Sequence, residues 1–238
     1  TTPDNSVGNK DLRSIALHPE KAYHSDVENR KSRMIGWYPQ NTILPVGSDL
    51  KETDAAFKNF GSYEIVDGQH CVKFTGLDGS VDLMVSDVRD GSLEDKFGSD
   101  NFFQFKHYLS AVKIHAKAEE SAQDIGAWGY IENVIIMNQP TSCVVELPSA
   151  PSPIEGERVF GDVVSWGDYM KHPIITTAIY GNKDQSEDNI TAQEYPIKLD
   201  GTGIEKYLGY SLIEPNKKLW VQVHTRSGIY DVEIAPQY

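Results

Sequence analysis

The chain holds seven histidines, His18, His24, His70, His107, His115, His172 and His224. They are the first residues to consider for chemistry, because imidazole changes its proton near neutral pH and binds metals. His107 is the most suggestive. It lies in the run Phe103-Gln104-Phe105-Lys106-His107-Tyr108-Leu109, where Phe103, Phe105, His107 and Leu109 share one side of a strand. A base or a metal ligand fits that position, and so does a buried, hydrogen-bonded core histidine, which is the stronger reading. No second histidine stands at metal-ligand spacing on a shared face. His115 has the same parity as His107, but the apolar set switches after Ser110 to Val112, Ile114 and Ala116. Such a slip predicts a bulge or an irregular turn inside one long strand.

Other chemistry is thinner. The chain contains no GxSxG, HExxH, P-loop or GxGxxG pattern. Asp78–Asp82 and Asp184–Asn189 carry oxygen ligands suited to calcium, but neither matches a helix-loop-helix calcium loop, and turn-forming Asp and Asn explain both. Tyr23, Trp37, Tyr130, Trp166 and Trp220 are rings that could stack on a sugar, although aromatic residues of β proteins more often fill the core. Cys71 and Cys143 are too few for a disulfide framework; they read either as one pair or as two unpaired core thiols, and the second reading is preferred. The polar segment Glu28–Arg33 offers Arg30, Lys31 and Arg33. It reads either as a solvated charged turn or as a site for an arginine-specific protease, because exposed loops are where nicking occurs. These observations place no catalytic residue, cofactor or metal in the chain.

Bulk composition narrows the partners. The 238 residues suffice for one large or two small domains, and the formal net charge is −13. That charge opposes binding to nucleic acid and to anionic lipid. No apolar run is long enough for a membrane-spanning helix. Residues 1–14 lack both a charged leader region and an apolar one, so any export signal is expected to have been removed or never to have been present.

The elements that would position these residues read as strands. Residues 1–14 are polar and turn-rich, followed by a short strand at Ser14-Ile15-Ala16-Leu17. Met34–Tyr38 reads as an aromatic strand stopped by Pro39, and 48–60 is the best helical window. Strands follow at Tyr63–Val66, Cys71–Phe74 and Val81–Val85, with hairpin turns at Asp67-Gly68 and Asp78-Gly79. Further strands are expected at Trp128–Met137, Cys143–Leu147 and Ile174–Tyr180. The clearest pattern is the end of the chain, where Leu219, Val221, Val223 and Thr225 alternate up to a turn at Arg226-Ser227-Gly228 and Tyr230, Val232 and Ile234 alternate after it. Many short strands with almost no helix predict β-sandwiches. Two boundaries are open: composition points to the proline loop near 148–156, whereas the strand count favours the turn Glu119–Gly126, which is chosen and gives domains 1–122 and 123–238.

Four stretches resemble one family. They are Gly36-Trp37-Tyr38-Pro39; Val81-Asp82-Leu83-Met84-Val85; Phe103-x-Phe105-x-His107-x-Leu109-Ser110-x-Val112-x-Ile114; and Tyr210–Pro215 with the hairpin that follows. Their order resembles the fimbrillins, the type V pilins and related surface adhesins of Gram-negative anaerobes. The resemblance implies an all-β chain of two tandem transthyretin-like β-sandwiches and no catalysis. It implies a structural or adhesive role at the outer membrane or in a fimbrium, with anchoring through a removed N-terminal lipid signal. Its partners would be neighbouring pilus subunits joined by strand addition, together with a host or bacterial surface ligand. By position, Arg30 or Arg33 would be the processing site and Ser14, Ile15, Ala16 and Leu17 the released strand. The alternative is a carbohydrate-binding β-sandwich lipoprotein of a glycan-capture complex.

Overall fold

The computed structural model describes residues 31–39, 60–92, 103–118, 130–175, 195–199 and 203–235. These residues are all β, with no helix among them. In chain order the strands are β1 (Ser32–Met34), β2 (Trp37–Tyr38), β3 (Gly61–Val66), β4 (Gln69–Thr75), β5 (Met84–Ser86), β6 (Arg89–Gly91) and β7 (Phe105–His107). They continue as β8 (Ser110–Ala116), β9 (Tyr130–Glu146), β10 (Val163–Pro173), β11 (Ile197–Lys198), β12 (Lys206–Ile213), β13 (Leu219–Thr225) and β14 (Gly228–Ile234).

The largest sheet runs β14-β13-β9-β4-β3, with β10 and β11 also paired to β9. Smaller sheets are β1-β6, β2-β5-β7 and β12-β8. The centre is β9, at 17 residues the longest strand. On one side its first half pairs with β13 and its second half with β4, while β10 runs along its other side. The strands expected separately at Trp128–Met137 and Cys143–Leu147 are one continuous strand that runs through Pro140. A proline is tolerated in a strand where one side lacks a ladder partner. Pro140 sits between the end of the β13 register at Met137 and the start of the β4 register at Ser142. Asn138, with φ 56°, marks an irregularity in that gap. Past it, the buried apolar positions change from Val134 and Ile136 to Cys143 and Val145, so the parity of the strand switches.

Two apolar cores form against the two halves of β9. One gathers Val72, Phe74, Leu83, Val85, Tyr108, Cys143 and Val145, with Trp37 and Trp166 packed against them. The other gathers Val134, Ile136, Leu208, Ile213, Leu219 and Val221, with Val112 and Ile114 alongside. In each, a small sheet covers half of the large one, which is sandwich packing. The expected division at 122/123 lies outside the described residues. Both cores draw on chain from either side of that position, and they share β9.

The run around His107 therefore differs from the single bulged strand expected. It breaks at Tyr108-Leu109 into β7, which pairs with β5, and β8, which pairs with β12. The phase slip marks the passage from one core to the other. Met34–Tyr38 likewise splits into β1 and β2, which belong to different sheets. Asp78-Gly79 does not close a hairpin, since β4 pairs with β3 and β9 while β5 pairs with β2 and β7. Instead the turn docks on β12, where Gly79 O accepts from Leu212 N at 2.8 Å. Gly79 has φ +84°, a conformation that favours glycine, and a Cβ there would lie 2.4 Å from Ser211 Oγ, so that hydroxyl would have to turn away. The Asp67-Gly68 turn is as expected, with φ of 50° and 83° closing β3 on β4. The final hairpin also forms, Leu219–Thr225 against Gly228–Ile234. Strand β10 has no counterpart in the sequence reading. Of the strand expected at Ile174–Tyr180, Ile174 and Ile175 follow β10, and 176–180 lie outside the described residues. The expected helix over 48–60 also lies outside them, except for buried Phe60.

A buried carboxylate ties the first core together. Asp87 is fully buried; it pairs with Arg158 at 2.7 Å and Arg89 at 3.0 Å, and it accepts from Gln104 N at 2.9 Å. Removing one member of a buried charge network leaves the others desolvated and unpaired. Asp87→Ala is expected to cost about 3 kcal/mol in chemical denaturation. A loss below about 1 kcal/mol would place that network among surface ion pairs.

Candidate interaction site

Of the candidate processing residues Arg33 is described; Arg30 and Ser14–Leu17 lie outside the described residues. Arg33 was expected in an exposed loop, yet it occupies the middle of β1. Its Cα partner is Asp90 on β6. Arg33 Nε and Nη2 donate to Asp90 Oδ1 and Oδ2 at 2.8 and 3.1 Å, a two-pronged bond in which each nitrogen meets its own oxygen. The bond to Asp90 raises the Arg33 pKa further, so the guanidinium stays charged. Sequence could not find Asp90, which lies 57 residues away.

Strand edges are the second element of the site. In an antiparallel pair, directly opposite residues share a face. Val232 stands opposite Val221, and Ile234 opposite Leu219. Val221 and Leu219 are buried in the second core, but Val232 and Ile234 are each 43% exposed on the same face. Strand β14 pairs with β13 and with no other described strand. The opposite edge is similar. Tyr63 on β3 faces the same way as buried Val72, yet Tyr63 is 50% and Ile65 62% exposed. There the Tyr63 hydroxyl is bonded to His70 Nδ1. Both edges of the large sheet thus carry apolar side chains on the core face that the described residues leave partly uncovered. The alternation of Tyr230, Val232 and Ile234 was legible in sequence; their exposure depends on which strands lie over them.

The remaining sequence candidates are scattered. His107 is not a core residue: its side chain is 63% exposed and its Nδ1 lies 2.5 Å from Asp82 Oδ2. All three residues of β7 are exposed, and Tyr108 supplies the core contact, its hydroxyl donating to Gly161 O at 2.6 Å. Asp78 accepts from Ser80 N and Oγ, which is turn chemistry. Asp184–Asn189 and Tyr23 lie outside the described residues. Cys71 and Cys143 are buried free thiols as expected, and burial pushes Cys143 up to about 12. Trp37 and Trp166 pack against the first core, and the Arg226 guanidinium lies 4.0 Å from the Tyr130 ring centre. Of the candidate sugar-stacking rings that are described, Trp37, Tyr130, Trp166 and Trp220, Trp220 is the exposed one, on the sheet face that also carries Gln222, bonded to Asp231 at 3.0 Å, and His224, bonded to Gln222 at 2.9 Å. Among the described residues no three His, Cys, Asp or Glu side chains are grouped to hold a metal ion.

No protein-family model matches the chain. No curated protein matches it either. A crystal structure of a candidate cell adhesion protein from Bacteroides uniformis is similar at 13% identity with a TM-score of 0.40, over 86% of this chain. The chain spans 59% of the length of that protein.

One buried group that sequence did not single out is His172 on β10. It is buried, and neither ring nitrogen has a hydrogen-bond partner among the described residues. Desolvation lowers its pKa from the ordinary 6.5, with Asp78 opposing the shift. The unfolded chain therefore takes up this proton at a higher pH than the folded one. The stabilisation is complete above the unfolded value and is lost as pH falls through the lowered one. Between about pH 7 and pH 5, the native protein should lose more stability in urea titrations than His172→Leu does. At neutral pH the variant should be at least as stable as the native protein, because it removes two unsatisfied polar atoms. Parallel pH curves for the two proteins would exclude His172 as the source.

Proposed function

We propose that this chain is a structural and adhesive cell-surface protein, a fimbrillin-like pilus subunit or anchored adhesin that assembles by strand addition. The observation that carries the reading is the edge of β14, where Val232 and Ile234 continue the core face of Leu219 and Val221 without full cover. An added strand could pair along the side of β14 away from β13, where no described strand lies, and place alternate side chains over those two residues. On this reading the two cores correspond to two transthyretin-like sandwiches that share a sheet. The protein sits in the outer membrane or a fimbrium, is anchored through a removed N-terminal lipid signal and carries no catalysis. Neighbouring subunits are its partners, with a host or bacterial ligand for the adhesive role.

Treatment with an arginine-specific protease tests this. A clean cut after Arg30 or Arg33 should be followed by multimers that ladder on gels. Ile234→Asp should suppress the ladder while leaving the cut and the monomer's thermal midpoint nearly unchanged, because a charge on the accepting face opposes burial under a new strand. A native protein that stays uncut and monomeric would overturn the proposal.

A second reading is supported by Trp220. Its exposed ring lies beside Gln222, Asp231 and Glu233 on the outer face of β13 and β14, an aromatic surface next to polar groups suited to sugar hydroxyls. Glycan-array binding that disappears in Trp220→Ala with the fold intact would favour the glycan-capture alternative.

A further inference from the structure

We propose that Asp90 is a latch on Arg33, so that a protease reaches the bond after Arg33 only when β1 leaves β6. The biological purpose of the latch rests on the strand-addition reading, whereas its mechanics follow from β1 and β6 alone. An arginine-specific protease of the trypsin type takes the guanidinium into a pocket with its own carboxylate. It also needs the flanking chain extended and free to pair with the enzyme. In the folded protein Arg33 offers neither. Ser32, Arg33 and Met34 are paired with Gly91, Asp90 and Arg89, and both oxygens of Asp90 already hold the guanidinium. Asp90 therefore occupies the role that the protease's carboxylate would have to take.

The two halves of the latch are anchored differently. Asp90 follows Arg89, whose guanidinium pairs with the fully buried Asp87. Its side chain is only 13% exposed, against 45% for Arg33. Strand β1 is three residues long, and β6 is its one strand partner among the described residues. Opening therefore moves Arg33 away from a fixed Asp90. A three-residue pairing is a small cooperative unit, so it can open locally without unfolding either core. The charge pair sets how often it does so. Because the pair is partly exposed, salt weakens it.

The test is a time course of trypsin digestion of the full chain and of Asp90→Asn, at low and high salt, with products assigned by mass spectrometry. Asparagine keeps the shape and removes the charge. The cut after Arg33 should be roughly two- to fivefold faster in the variant at low salt, the effect of losing one partly exposed ion pair. High salt should speed the native protein toward the variant's rate and leave the variant unchanged. Cutting at other arginines, Arg226 among them, should be the same in both proteins. Equal rates after Arg33, no cut there in either protein, or an acceleration shared by every arginine would each overturn the latch. Multimers scored on the same samples judge strand addition separately. A ladder without a rate difference rejects the latch alone, and a rate difference without a ladder rejects strand addition alone.

Discussion

Everything in this molecule hangs on β9 serving two cores at once. A strand of 17 residues extends about 55 Å, longer than one small sandwich needs. The surplus is used by changing neighbours partway along. One half is flanked by β13, the other by β4, and β10 runs beside both. Burying apolar side chains on both halves is the main favourable term for each core. Because the halves belong to one continuous backbone, neither core can shift without dragging the other's central strand. The irregular stretch at Asn138 to Pro140 is where this double duty is accommodated, between two ladders that stop short of each other.

Polar ties then fix what the apolar cores leave adjustable. Asp87 draws the end of β5, the approach to β7 and the loop carrying Arg158 to one point. Ser86 adds to it, accepting from Gly36 N and donating to Asp87 O, both at 2.8 Å. Around the second core Glu214 plays a similar part. It accepts from the Tyr169 hydroxyl at 2.9 Å, meets Lys217 at 2.9 Å, and donates its backbone N–H to Gln139 at 3.1 Å. In a low-dielectric setting such carboxylates are costly unless every oxygen is engaged, which is why each is ringed by donors. Through Arg89 the first network also fixes β6, and so the position of Asp90 beside the candidate processing arginine. Local geometry at an exposed strand is thus inherited from a buried charge.

The edges of the large sheet are left unfinished in a way the interior is not. Val72, Val145, Val134 and Ile136 have no accessible surface, while Val232, Ile234, Tyr63 and Ile65 on the outermost strands retain much of theirs. Isolated exposed apolar residues need no explanation. Here they continue the core-facing rows of neighbouring strands, so the same pattern that fills the interior runs past its described cover. That continuity distinguishes these two edges from scattered apolar surface.

Elements joined by short connections were legible in sequence. The β13–β14 hairpin and the β3–β4 hairpin both appear where alternation and a turn predicted them, because a local turn fixes the partner as well as the strand. Two cysteines ruled out a disulfide framework, but whether Cys71 and Cys143 pair with each other was decided only by the fold, which leaves both as buried free thiols. The path through the middle of the chain was not legible. Period-two alternation says which side chains share a face, but not which strand lies alongside or what covers that face. So the slip after Ser110 points by sequence to a bulge or irregular turn inside one strand, when it is the step from one sheet to another. His107 was read as buried by parity, when its face lies open beside Asp82. Arg33 was visible as a residue type and a candidate for cleavage, but its partner was not, since Asp90 reaches it only through the pairing of β1 with β6. The sequence by itself determined that this chain forms strands and where its tight turns fall. Only the tertiary structure decided which strands share a sheet, which apolar rows are covered and which charge Arg33 holds, because those depend on contacts between residues far apart along the chain.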